Sequence, residues 1–237
     1  MIVKKRDILI LGDGLLGSEI KRQTGWENLS RNKNNFDLTK NLHDFNDKIS
    51  KYNGILNCIA HTDTYSYKKD PHWKINYAGV VDLVSVCNNL NKKLIHISTD
   101  YVYANSTSNA KESDVPVHCE NWYGYTKLLG DAYVQLKSTN YLLIRTTHKP
   151  KPFPYDKAWN NHIGNFDYVD KIAELIILLI KNNAVGVYNV GTEKKTMYEL
   201  AKLTNKNVSK TSEKFHSSSP DDVTMDTEKM IKFLDSE

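Results

Sequence analysis

Short apolar runs alternate with amphipathic segments over most of the chain. Uninterrupted apolar runs are typical of buried strands, whereas apolar residues at helical spacing indicate helices that cover a sheet. This alternation predicts an α/β fold with a parallel sheet. The predicted strands cover residues 7–11, 26–30, 35–38, 54–59, 93–98 and 141–145, and the predicted helices cover residues 15–23, 71–89 and 123–137.

The pattern changes after residue 147. Residues 149–154 hold three of the six prolines, which excludes a regular helix or strand there. Beyond them the pattern predicts helices at 168–181, 197–203 and 227–234, a strand at 186–190 and a loop over 205–222. We therefore expect a Rossmann-type, doubly wound domain over residues 1–147. A small C-terminal substrate lobe over residues 148–237 would be partly interleaved with it.

Composition and charge narrow the classes of function. The net charge of +4 comes from 32 basic and 28 acidic residues that are mixed along the chain, which argues against a nucleic-acid partner. No signal-peptide pattern opens the chain, and the apolar run at 172–180 is too short to cross a membrane. Cys58, Cys87 and Cys119 have no metal-ligand spacing, so neither a metal site nor a disulfide framework is expected. We expect a cytoplasmic protein.

A glycine-rich motif, G-D-G-L-L-G from Gly12 to Gly17, follows the first predicted strand and begins the first predicted helix. In that context the first glycine permits a tight turn and the second lets a pyrophosphate approach the backbone. The third lets the helix pack on the sheet. The free N–H groups of the helix would then face the phosphates. A purely structural turn is the alternative, and the strand-turn-helix context favours a bound dinucleotide.

The end of the second predicted strand bears on the choice between NAD and NADP. An acid there would bind the ribose 2′-hydroxyl and repel a 2′-phosphate. Ser30 and Arg31 instead offer a hydroxyl and a guanidinium, which suit a phosphate. Asp37 lies 20 residues after Gly17 (37 − 17), the spacing of a ribose-binding acid. Because it follows the third predicted strand, we expect it at the adenine end, and we favour NADPH while NADH stays open.

Three residues form a candidate catalytic set. Thr99 follows a predicted strand, and Tyr123 and Lys127 lie four residues apart on one face of a predicted helix. A tyrosine has a pKa of about 10, and a neighbouring ammonium would lower it so that the phenol could give up its proton. The lysine could also reach the nicotinamide ribose, and the threonine a substrate carbonyl. A chance Tyr-x-x-x-Lys on an exposed helix turn is the alternative, which the order of the motifs disfavours.

Together these motifs resemble the extended short-chain dehydrogenases, and most closely the dTDP-4-dehydrorhamnose reductase family. The similar stretches are residues 12–17, 37–39, 57–62, 98–103, 123–128, 143–146, 186–190 and 225–229. The resemblance implies an NAD(P)H-dependent reductase that acts on the keto group of a 4-keto-6-deoxy sugar nucleotide, in deoxysugar or surface-glycan synthesis.

The resemblance also implies a role for particular residues. Thr99, Tyr123 and Lys127 would be catalytic, and Asp100, Tyr101 and His148 would contact the substrate. For His148, a histidine in a surface loop is the alternative. Asn76 matches an asparagine whose role would be structural. The implied cofactor contacts are Gly12, Gly14, Leu15, Leu16, Gly17, Ser30, Arg31, Asp37, Leu38, Cys58, Ala60, His61, Thr62 and Lys127.

Two departures from related patterns matter. Sugar-nucleotide 4,6-dehydratases resemble Thr-Asp-Glu where this chain has Thr99, Asp100 and Tyr101, so the elimination acid is missing and reduction is favoured. Residues 149–165 stand where the family carries a further helix and strand. We therefore expect a reduced substrate lobe, in which Phe153 and Trp159 either cover the pocket or fill the core.

Two other functions stay open. The regulatory subunit of methionine adenosyltransferase resembles the same family, can keep the three catalytic residues, and would suit a shortened lobe. A sugar-nucleotide epimerase, which would hold its NAD tightly, is the other. The sugar, the nucleotide carrier and the oligomeric state, a homodimer included, are not determined by the sequence.

Overall fold

A computed structural model describes residues 8–40, 42–104, 108–114, 121–214 and 216–236. Its strands are β1 Ile8–Leu11, β2 Glu27–Leu29, β3 Gly54–Asn57, β4 Lys93–Ile97, β5 Tyr141–Thr146, β6 His148–Lys149, β7 Lys157–Trp159, β8 Ile163–Gly164, β9 Asp167–Tyr168, β10 Gly186–Val190, β11 Lys195–Thr196, β12 Ser209–Thr211 and β13 Asp222–Val223. Its α-helices are α1 Leu15–Thr24, α2 Arg31–Asn34, α3 Asn46–Ile49, α4 Lys69–His72, α5 Gly79–Asn89, α6 Trp122–Lys137, α7 Val169–Lys181, α8 Met197–Lys202 and α9 Glu228–Asp235.

The central sheet has six parallel strands in the order β10-β5-β4-β3-β1-β2. Alternate side chains of each strand point to opposite faces, so Ile8 and Ile10 join one hydrophobic cluster while Leu9 and Leu11 join another. Helices α1, α7 and α9 cover the first face, and α3, α5 and α6 cover the second. This arrangement confirms the predicted doubly wound α/β fold, and it places the crevice between β1 and β3, where the strand order reverses.

The third strand predicted at residues 35–38 is wrong. Helix α2 follows β2 and ends at Asn34. The next residue, Asn35, has a φ of 54°, which lies in the left-handed region and interrupts any extended backbone. Phe36 and Leu38 are both buried, but they pack beneath α5 rather than pairing in the sheet. The alternation at 35–38 therefore reflects two anchored side chains in a loop.

One continuous helical segment runs through residues 69–89, which confirms the helix predicted there. It begins as α4, passes through a π-helical stretch at Trp73–Ala78 and continues as α5. Such wide turns inside α-helices are frequent at functional sites, because they rotate side chains away from regular α spacing. Here the π-helical stretch presents Asn76 to the loop after β3.

Short strands build the C-terminal lobe. β11, β8 and β13 form a three-stranded sheet, and β7 pairs with β12 around a core that contains Phe153 and Phe166. The loop predicted over 205–222 is therefore wrong in part, because β12 extends the backbone where it pairs with β7. Phe153 is buried in this core and Trp159 packs against it, so both fill the lobe. The strand predicted at 186–190 is β10, which joins the central sheet beside β5.

A buried network joins helix α6 to the sheet and to the C-terminal half. Arg145 of β5 donates from Nε and Nη2 to the two carboxylate oxygens of Asp131 in α6, at 2.8 and 3.1 Å. Its Nη1 donates to the hydroxyl of Tyr103. That hydroxyl in turn donates to Oδ1 of Asn189 in β10 at 2.8 Å. The guanidinium thus links β5 to α6 and to Tyr103, and the Tyr103 hydroxyl extends the network to β10.

We expect Asp131→Ala to lower the free energy of unfolding by about 3–5 kcal/mol, because it leaves the Arg145 charge buried without a counter-ion. Urea denaturation followed by circular dichroism measures this loss. Glu174→Ala, which removes an exposed pair with Lys171 on α7, is the matched control and should cost about 1 kcal/mol or less. An equal effect of the two substitutions would contradict the role given to the buried pair.

Candidate active site

The glycine motif forms a tight turn at the carboxyl end of β1. Gly12 has a φ of 104°, a conformation that favours glycine, and its N–H donates to the Leu29 carbonyl at 2.8 Å. A Cβ atom at Gly17 would lie 2.6 Å from the Gly12 carbonyl oxygen, so only glycine lets α1 start this close to the turn. Gly14 has open space where a Cβ would be. The turn therefore leaves the N-terminus of α1 accessible to a phosphate.

Two of the residues implied as cofactor contacts have side chains in the core. Leu16 packs against the sheet on the α1 face, and Leu38 packs where Gly79 brings α5 close. Only their backbone groups can reach a cofactor. Leu15, in contrast, is 44% exposed beside the glycine turn.

The end of β2 brings together the residues that bear on the 2′-phosphate. Arg31 donates from Nη2 to Asp37 at 3.0 Å, so the guanidinium and the acid form a pair. Although burial acts the other way, hydrogen bonds from Thr39 and Arg31 hold the pKa of Asp37 below its usual range. The Ser30 hydroxyl is buried and has no hydrogen-bond partner among the described residues. Arg31 remains more than half exposed despite its pair.

The loop after β3 lines the other side of the crevice. Ala60 and His61 are half-buried, and Thr62 is exposed. Asn76 holds this loop in place, since its Oδ1 accepts the His61 N–H at 2.8 Å and its Nδ2 donates to the His61 carbonyl at 3.1 Å. Asn76 therefore has the structural role implied by the resemblance. Burial raises the pKa of the Cys58 thiol to about 12, which keeps it protonated.

Lys127 lies beneath the carboxyl end of β4. Its side chain is 2% exposed, and its Nζ donates to the Ile97 carbonyl at 2.6 Å. Burial lowers the pKa of Lys127 to about 8, while Asp131 and Cys58 act in the opposite direction. The ammonium is therefore close to its titration point at neutral pH.

Tyr123 lies one helical turn before Lys127, at the start of α6. Burial raises the pKa of Tyr123 to about 12. A hydrogen bond with Thr99 acts against this shift, and the Asp100 carboxylate adds to it. The pKa therefore moves in the direction opposite to the one expected from the sequence, because desolvation of the phenolate outweighs the favourable groups around it.

Asp100 follows Thr99 and is 1% exposed. Its Oδ1 accepts a hydrogen bond from the Thr99 hydroxyl at 3.1 Å. Burial raises the pKa of Asp100 to about 7, against the opposing charge of Lys149. A carboxyl group that titrates near neutral pH is thus hydrogen-bonded to the threonine hydroxyl.

The other residues expected near a substrate connect this edge to the C-terminal lobe. The hydroxyl groups of Tyr101 and Tyr65 are 2.9 Å apart, and Ser219 donates to Tyr65 at 2.8 Å. His148 is half-buried, its Nδ1 is enclosed, and burial lowers its pKa to about 4. Tyr65 and Lys149 also lie at this edge, and neither was predicted from the sequence as a site residue. The position of Lys149 just past the carboxyl end of β5 is the signal that could have identified it.

Neither a metal centre nor a membrane span emerges from the part of the chain that is described. Within those residues, no three His, Cys, Asp or Glu side chains gather closely enough to hold a metal ion. None of the described helices is long and apolar enough to cross a membrane.

Known proteins with similar sequences include polysaccharide and deoxysugar enzymes. The family model described as the RmlD substrate binding domain matches residues 6–148. The spore coat polysaccharide biosynthesis protein SpsK of Bacillus subtilis is 25% identical over 212 residues, which are 77% of this chain and 72% of that protein. The dTDP-4-dehydrorhamnose reductase of Mycolicibacterium smegmatis is 31% identical over 100 residues, 39% of this chain and 29% of that enzyme.

Solved structures match along nearly the whole chain. A hypothetical dTDP-4-dehydrorhamnose reductase of Sulfolobus tokodaii superposes with a TM-score of 0.80 at 25% identity, over 95% of this chain and 94% of that one. The dTDP-4-dehydrorhamnose reductase of Bacillus anthracis in complex with NADP gives a TM-score of 0.82 at 21% identity, over 98% and 93%. In both superpositions the matched fold includes the C-terminal lobe.

The family model covers more than half of the chain and contains the glycine turn, Thr99, Tyr123 and Lys127. The same order of motifs carried the resemblance found in the sequence. The chain therefore belongs to the RmlD substrate binding domain family, within the extended short-chain dehydrogenases/reductases, a family of nicotinamide-dependent oxidoreductases.

Proposed function

We propose that the protein is an NADPH-dependent reductase of a 4-keto-6-deoxy sugar nucleotide. The observation that carries this proposal is the convergence of Thr99, Tyr123 and the buried Lys127 at the sheet edge that also bears the glycine turn. The named activities of the relatives, dTDP-4-dehydrorhamnose reductase among them, suggest the substrate class.

Each of the three side chains has a distinct task in carbonyl reduction. When bound, the reduced nicotinamide supplies a hydride to the keto carbon. The Thr99 hydroxyl orients the keto group by donating a hydrogen bond to its oxygen. As the carbon–oxygen π bond breaks, the Tyr123 hydroxyl gives its proton to that oxygen and becomes a phenolate. The Lys127 ammonium, one turn away, offsets the new negative charge.

The high pKa of Tyr123 fits the direction of this reaction. A phenol with a pKa of about 12 is fully protonated at neutral pH, so the proton donor is present in every molecule. Its conjugate base is costly in this buried site, and because the single proton of the Thr99 hydroxyl is donated to the substrate oxygen, stabilisation of the phenolate must come from Lys127. Proton transfer thus depends on Lys127 keeping its charge.

The preference for NADPH rests on the end of β2. Arg31 offers a guanidinium that is more than half exposed, and the buried Ser30 hydroxyl beside it has no partner among the described residues. The guanidinium can hydrogen-bond a 2′-phosphate, whereas the Ser30 hydroxyl oxygen is enclosed and does not reach the surface. Asp37 orients the guanidinium, since it accepts a hydrogen bond from Arg31 at 3.0 Å.

We expect Tyr123→Phe to lower kcat for NADPH oxidation with dTDP-4-dehydrorhamnose by roughly 10²- to 10⁴-fold, because the proton donor is lost. The dissociation constant of NADPH should not change. Tyr125→Phe, on the same helix, is the matched control and should keep full activity. Loss of absorbance at the nicotinamide band measures the rate. A fully active Tyr123→Phe variant would contradict the catalytic assignment of Tyr123. Recovery of a partner enzyme in stoichiometric amount in a pull-down would then favour the regulatory-subunit alternative.

A second prediction concerns pH. The Lys127 ammonium is present below its pKa of about 8 and is lost above it, so kcat for reduction should fall as the pH rises through about 8. Lys127→Arg keeps its charge at every accessible pH and should remove this alkaline limb, even if its plateau is lower. Initial rates at saturating substrate measure the profile. An unchanged limb in Lys127→Arg would assign the titration to another group.

A third prediction concerns the cofactor. Arg31→Ala should raise the dissociation constant of NADPH about tenfold or more, because a charge-assisted contact to the 2′-phosphate is lost. Binding of NADH should change little. Arg22→Ala, which removes an exposed arginine paired with Glu19, is the control. Fluorescence titration with each nucleotide distinguishes the cases, and equal weakening of NADPH and NADH would argue against a 2′-phosphate contact.

A further inference from the structure

Lys149 occupies an unusual place beside the candidate active site. It lies three residues past Thr146, the last residue of β5, on the two-residue strand β6 that pairs with β9. Ligands of open α/β sheets bind at the carboxyl ends of the strands, which is the side on which β6 begins. The residue is half-buried. Within the described residues its ammonium forms neither a hydrogen bond nor an ion pair.

Among the described residues, Asp100 is the acid whose charge acts on Lys149. Burial raises the pKa of that carboxyl to about 7, and the charge of Lys149 acts against this shift. His148 and His162 also face Lys149, and burial lowers the pKa of each to about 4, so both rings are neutral at neutral pH. His162 is held through Nδ1 by the Pro220 carbonyl at 2.7 Å, whereas the enclosed Nδ1 of His148 has no partner in the described structure.

Because Lys149 is only half-buried and has no hydrogen-bond or ion-pair partner among the described residues, its ammonium is available to bind an anion. The phosphate groups of a dinucleotide are not that anion, because they bind at the glycine turn after β1. Three strand spacings separate β1 from β5 in the sheet order, which is about 14 Å. Lys149 instead lies close enough to Asp100, the neighbour of Thr99, for their charges to interact.

We propose that Lys149 forms an anion subsite that binds an anionic oxygen of the nucleotide-sugar substrate, with His148 as a neutral hydrogen-bonding neighbour. The inference rests on the proposed function and deepens it, since it assigns a specificity residue that the catalytic set does not contain. The anionic oxygen is one of the diphosphate, because a 6-deoxy sugar carries a methyl group where a glucuronate carries its carboxylate. A diphosphate oxygen is the kind of acceptor that an ammonium binds.

The test measures binding to the protein saturated with NADPH. The probes are dTDP-glucose and dTDP-glucuronate, with UDP-glucose and UDP-glucuronate as a second pair. Calorimetry gives the dissociation constant of each compound. The two members of a pair differ only in whether the sugar carries a carboxylate. Lys149→Met removes the charge at similar length, Lys149→Arg restores it, and Lys157→Met, an exposed lysine of the same lobe, is the matched control. Circular dichroism checks that every variant is folded.

We expect Lys149→Met to weaken binding roughly 10- to 100-fold, the effect of losing a charge-assisted hydrogen bond. Lys149→Arg should recover most of the affinity, and Lys157→Met should bind like the unmodified protein. An equal loss for both members of a pair supports a contact with the diphosphate, and a loss confined to the glucuronates would contradict it. Unchanged binding by Lys149→Met would overturn the subsite. If the protein binds NADPH but none of the nucleotide sugars, that result contradicts both the proposed function and the subsite.

Discussion

The buried pair between Arg145 and Asp131 is the interaction on which the geometry of the site depends. Arg145 belongs to the sheet and Asp131 to α6, the helix that also carries Tyr123 and Lys127. Because a planar guanidinium binds a carboxylate in one orientation, this bidentate pair fixes how far α6 is turned relative to the sheet. The Tyr103 hydroxyl extends the constraint to β10. Tyr123 and Lys127, the proposed catalytic residues of α6, are thus held by the same contact that joins the two halves of the chain.

Burial then shifts the protonation equilibria at the candidate site. The same desolvation raises the pKa of Tyr123, lowers that of Lys127 and raises that of Asp100. All three shifts favour the neutral form of the group. Such shifts cluster at catalytic sites, where a group must exchange a proton near neutral pH. The proposed proton transfer from Tyr123 uses this balance, and Lys149 adds one further cation whose counter-ion the substrate would supply.

Local sequence was sufficient for most of the fold, and the exceptions have specific causes. The central strands and long helices follow from apolar periodicity, which acts over a few residues. The strand predicted at 35–38 failed because Phe36 and Leu38 alternate like strand residues while Asn35 adopts a left-handed conformation. Strand β12 was missed because its residues are polar and its partner β7 is about fifty residues away. Leu16 and Leu38 were expected at the cofactor, yet only packing shows that their side chains are buried.

The sequence by itself determined the glycine turn, the order of the Thr, Tyr and Lys motifs and the family to which they point, because each depends on neighbours along the chain. Tertiary structure alone decided the rest. It pairs Arg31 with Asp37 and gives Tyr123 a raised rather than a lowered pKa. It also places Lys149 where its charge meets Asp100, 49 residues earlier (149 − 100). The physical reason is that desolvation and charge act through space. The periodicity of residues along the chain does not indicate which distant side chains lie together in a buried site.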